Sequence, residues 1–129
     1  MLKMKIFFAL LFTAALALPG WTQTTPQYRK DALAILKLQQ QVLAVDQAGQ
    51  TKKAKALYRV ESARFEAFSK KYAKYRLRDG PPPSNPLLAM GDTALSQVVK
   101  ETDPTKKKQG WSQGDSSLTR LRAMIEKGQ

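Results

Sequence analysis

Two amphipathic segments, 26–48 and 52–78, the second capped by Thr51, are separated by only Gly49, Gln50 and Thr51. That break constrains this chain more than any other feature. A connection so short forces two helices to run antiparallel as neighbours. The sequence therefore predicts an αα-hairpin over 26–78 as the main body of the fold.

The first predicted helix starts at Thr25-Pro26. Thr25 supplies the N-cap oxygen, and proline suits the first helical position, where no N–H is needed. Its apolar face is Tyr28, Ile35, Leu38, Val42 and Val45, widened by Leu36 and Leu43, while Lys30, Lys37, Gln40 and Gln41 point away. Gly49 provides a left-handed stop. The second helix is expected from Thr51, as cap, to about Arg78. Its seam is aromatic: Tyr58, Phe65 and Tyr72 recur at seven, as do Phe68 and Tyr75.

Residues 79–85, with prolines at 81, 82 and 83, read as a stiff connector. Asn85-Pro86 repeats the cap-and-proline pattern, opening a third helix from Pro86 to about Glu101. Residues 102–114 are expected to be a loop carrying Lys106, Lys107, Lys108 and Trp111. Asp115 then caps a last helix, 116–127, striped by Leu118, Leu121, Met124 and Ile125. No strand-like alternation occurs. The fold class is all-α: a small bundle built from a long antiparallel αα-hairpin plus two shorter helices of one domain, 86–127.

The amino terminus has a different composition. Lys3 and Lys5 precede an apolar run, 6–18, which ends in Ala15-Leu16-Ala17 and Pro19-Gly20. Charge, apolar core and small residues in that order are those of a cleaved secretory signal, and the run is shorter than the roughly 20 residues a bilayer crossing needs. The expected division is a signal peptide at 1–17, cut after Ala17 or alternatively Gly20, then a flexible leader at 18–25. The protein is expected to be periplasmic or secreted, with no transmembrane segment in the mature chain.

Several kinds of chemistry are missing from the sequence. It has no histidine and no cysteine, so the usual general base, thiol nucleophile and soft-metal ligands are missing. The acids are scattered, without the grouping of a carboxylate metal site or a calcium loop. Adjacent Ser69 and Lys70 on a helix point apart and form no dyad. The chain is expected to be no enzyme, with no cofactor and no metal.

The formal charge is +12, lowered by two if Lys3 and Lys5 depart with the signal. The bases concentrate in 51–78, ending in KKYAKYRLR, where Lys70, Lys71, Lys74, Arg76 and Arg78 interleave with Tyr72 and Tyr75. These five, with Lys106, Lys107 and Lys108, are the candidate binding residues for an anionic partner in the cell envelope, either a protein or another envelope component, with peripheral contact to a membrane surface as a further option. The bland alternative is a solvated face. Tyr58, Phe65, Phe68, Tyr72 and Tyr75 are expected to pack as core. In a second reading that aromatic face binds a specific protein, as in an accessory subunit or immunity-type protein. Nucleic acid, with tyrosines stacking on bases, suits the composition but is an uncommon partner for an exported chain. Amino-terminal sequencing of the exported product should give a start near Leu18; an intact Met1 would refute the signal.

Overall fold

The computed structural model describes residues 23–129, so the expected signal peptide, its cleavage sites and Trp21 lie outside the described residues. The described chain is all-helical: α1 (Pro26–Gln47), α2 (Thr51–Lys71), α3 (Ser84–Lys100) and α4 (Pro104–Glu126).

Helix α1 begins as its sequence dictates. Thr25 Oγ1 accepts from the Tyr28 N–H (3.2 Å), and Pro26 occupies the first turn. Gly49, at φ 83°, turns the chain into α2. The end of α2 returns to the start of α1, where Lys71 Nζ donates to Asp31 Oδ2 at 2.9 Å. Halfway along, Gln39 meets Glu61. Both α1 and α3 touch all three other helices, whereas α2 and α4 do not touch each other. The two central helices thus separate the two outer ones.

Side chains at 28, 32, 35, 36, 42 and 43 of α1 are buried and fill the core with Phe68, Leu88, Leu95, Val99, Leu118, Leu121 and Ile125. Each large aliphatic or aromatic side chain withdrawn from water contributes about 1.5–3 kcal/mol. The segment before α1 and the start of α3 both meet the residues that follow α4. Thr24 N–H donates to Gly128 O at 3.0 Å, and Ser84 N–H to Gln129 O at 3.3 Å.

Three expected boundaries move. Helix α2 stops at Lys71 rather than Arg78. The chain leaves the helix there because Tyr72 and Tyr75 fold around Tyr28, one edge-on with centroids 5.0 Å apart and the other stacked at 5.3 Å. The Tyr75 hydroxyl also accepts the Thr25 N–H at 3.0 Å. Beyond it, Leu77 and Gly80 bond across a tight turn.

Helix α3 starts at Ser84, two residues early, and Asn85 does not cap it. The Gln129 carbonyl takes the Ser84 N–H and hydroxyl instead.

The largest correction is at 102–114. Most of that expected loop is helix: α4 starts at Pro104, capped by Asp103, whose Oδ2 accepts the Lys106 N–H at 3.0 Å. Asp115 caps nothing; it lies inside α4. Gly110 and Gly114 do not break α4 because they let it approach its neighbours. A Cβ at 110 would lie 2.8 Å from Val98 Cγ2, and one at 114 would lie 2.8 Å from Leu43 Cδ2.

The start of α4 is tied down by charge. Asp46 is fully buried; its Oδ2 pairs with Lys107 Nζ at 3.0 Å and accepts from Trp111 Nε1 at 2.8 Å. Lys107 also donates to Val98 O at 2.8 Å, joining α1, α3 and α4. Removing one partner of a buried pair strands the other charge. Lys107→Met should therefore lower unfolding stability by about 3 kcal/mol in urea titrations followed by far-UV circular dichroism, and Asp46→Leu/Lys107→Met should recover most of it. Equal loss in both variants would refute the stranded-charge account.

Candidate functional site

The sequence-derived candidates separate into two groups. Lys70, Lys71, Lys74, Arg76 and Arg78 lie where α2 ends and the chain turns towards α3, beside the start of α1. Lys106, Lys107 and Lys108 lie in the first turns of α4, beside the end of α1. Their anchor points on α1, Asp31 and Asp46, are about 22 Å apart at 1.5 Å per residue. The lysine triplet therefore does not extend the 70–78 cluster.

Nor are all eight free. Lys107 is committed to Asp46. Lys71 is paired with Asp31 and lies over the Tyr72 ring, 5.5 Å from its centroid. Arg76 Nη1 donates to the carbonyls of Ala73 and Tyr75, at 3.1 and 2.9 Å. Lys70 faces solvent, 78% exposed, with Glu66 only loosely paired at 3.9 Å. Lys74, Arg78, Lys106 and Lys108 are exposed.

The aromatic residues are placed as core. Phe68 and Tyr72 are buried, and Tyr58, Phe65 and Tyr75 pack half-buried against them. The Tyr72 hydroxyl bonds Asp31. Burial pushes Asp31 up, but bonds from Tyr72, Lys71 and Gln27 outweigh it and hold the carboxyl below its ordinary range. Burial, and then the hydrogen bond to Asp31 and that carboxylate's charge, push the Tyr72 phenol well above its ordinary value. Burial likewise raises Tyr28, whose hydroxyl shares a hydrogen bond with Ser84 at 2.9 Å.

The outward side of α2 carries the most concentrated free charge. Lys52, Lys53, Lys55, Arg59 and Arg64 are exposed along it, continuing to Lys70. Between them lie exposed Ala56, Val60, Ala63 and Ala67, Val60 at 44%. Of the two acids in α2, only Glu66 faces this surface. Glu61 is fully buried.

Glu61 belongs to a polar layer that the sequence reading missed. Gln39 Nε2 donates to Glu61 Oε2 and to Leu88 O, each at 3.0 Å. Asp92 of α3 reaches Glu61 within hydrogen-bonding range. Burial, and then Asp92, pushes the Glu61 carboxyl up to about 8. The pattern to find them was present. Gln39 lies four residues after Ile35, Glu61 seven from both Ala54 and Phe68, and Asp92 between Leu88 and Leu95, all core positions by spacing. Among the described residues, no group of three or more acidic side chains is arranged to hold a metal ion.

No protein-family profile, no curated protein and no solved structure matches the chain.

Gly91 gives the layer its room: a Cβ there would lie 2.6 Å from Gln39 Oε1, and Gln39 is pinned by two hydrogen bonds. Gly91→Ala should destabilise by about 1–3 kcal/mol through overpacking, although helix propensity alone would favour alanine by about 1 kcal/mol. A urea titration decides the sign.

Proposed function

We propose that this protein is an exported, non-catalytic binding or assembly component of the bacterial cell envelope, which docks an acidic partner protein on the outward side of α2. In this reading α1 and α2 form an antiparallel hairpin that presents the basic helix. The signal-like composition of residues 1–17 supports export. One observation carries the binding reading. With Glu61 turned into the core, the row from Lys52 to Lys70 faces solvent opposed by Glu66 alone.

The apolar content of this surface favours a protein over a bilayer. Interfacial helices insert bulky residues such as Trp, Phe and Leu. Here the exposed apolar side chains are alanines and Val60, which allow close approach of another helix and offer little to insert. No helix among the described residues is long and apolar enough to cross a membrane. Burial of Phe68, with Tyr58 and Phe65 packed against the core, supports the basic side over the aromatic face as the docking surface.

Charge-driven docking weakens with salt. The protein should be retained on heparin, used as a polyanion probe, and elute at raised salt. Arg59→Glu/Arg64→Glu/Lys70→Glu should elute markedly earlier with unchanged circular dichroism. Reversing three exposed bases elsewhere (Arg120, Arg122 and Lys127) changes net charge equally and should shift elution less. Equal shifts would reduce the effect to net charge and refute a dedicated face. Stronger capture by anionic lipid vesicles than by heparin would replace the protein partner with a membrane surface.

A further inference from the structure

The polar layer between α1, α2 and α3 has a property that the basic surface does not explain. Glu61 is fully buried, and its Oε1 has no hydrogen-bond partner. Asp92 Oδ1 is buried and likewise unpartnered. The other Glu61 oxygen is taken by Gln39, whose amide is held in that orientation by its second bond to Leu88 O.

No lysine or arginine among the described residues pairs with either carboxyl. The groups that face Glu61 are Gln39 from α1 and Asp92 from α3, while α4 does not reach α2. Two adjacent carboxyls with buried acceptor oxygens and no cation cannot both be ionised without heavy cost. One proton resolves the arrangement, carried on Glu61 and donated to Asp92.

We propose that a single proton held between Glu61 Oε1 and Asp92 Oδ1 latches α2 onto α1 and α3, and that its loss as pH rises loosens α2. The direction follows from linkage. Glu61 titrates near its ordinary value once α2 is detached, and at about 8 when docked. The docked state therefore binds the extra proton, and its advantage is complete below about pH 4.5, declines through the neutral range and is lost as pH passes about 8. The chain has no histidine, so no other side chain with an ordinary pKa titrates between pH 5.5 and 8. The device does not depend on what the basic surface binds.

Residue-resolved hydrogen–deuterium exchange at pH 5 and 8.5, corrected for intrinsic rates, tests it. Protection of α2 amides should fall about tenfold or more over that interval, with a smaller change where α1 packs on α4. Glu61→Gln keeps a donor towards Asp92 and cannot lose it, so its α2 protection should not respond to pH. Asp92→Asn removes the opposing charge and should shrink the response while preserving the fold. Wild-type α2 protection that is constant across the interval would overturn the proposal. So would a wild-type-sized response in either variant; Asp92→Asn decides alone if Glu61→Gln does not fold.

Discussion

All three other helices pack against α1, and at two buried levels in its second half that contact is polar. Gln39 meets Glu61 and the Leu88 carbonyl; two turns later Asp46 meets Lys107 and Trp111. A buried polar group has few partners that satisfy it, whereas an apolar side chain accepts any well-shaped neighbour. An apolar stripe alone would let α2, α3 and α4 slide along α1. The Gln39 layer sets the level at which α2 and α3 meet α1. The Asp46 pair does the same for the start of α4.

The polar positions also account for the surface. With Glu61 withdrawn inside, the outward side of α2 loses one of its two acids and becomes more one-sidedly basic than its composition indicates. The layer that positions α2 is thus one reason its exposed side is so one-sidedly basic. Lys107 and Lys71 show the opposite case. Both belong to basic runs, yet each is committed to a carboxylate on α1, so charge counted along the chain overstates charge offered to solvent at those points.

The aromatic cluster decides the other end. Tyr28 gathers Phe68, Tyr72 and Tyr75 around it, and its hydroxyl reaches Ser84, which in turn holds the Gln129 carbonyl. The start of α1, residues 68–75, Ser84 and Gln129 are linked there through Tyr28 and Ser84. A continuous helix to Arg78 would have carried Tyr75 away from Tyr28 and Thr25.

The sequence by itself determined the helical class, the start of α1 at Thr25-Pro26, the turn at Gly49 and most of the apolar stripes, because caps, left-handed turns and spacing are local effects. The same local rule, Asp103-Pro104, also marked the start of α4. It was masked by Gly110 and Gly114, which break a helix in isolation but permit close packing in this one. Only the tertiary structure decided the rest. Gln39, Asp46, Glu61 and Asp92 occupy core positions by spacing and surface positions by polarity. Which of the two prevails depends on whether a partner from another helix arrives to satisfy them, and no local pattern records that.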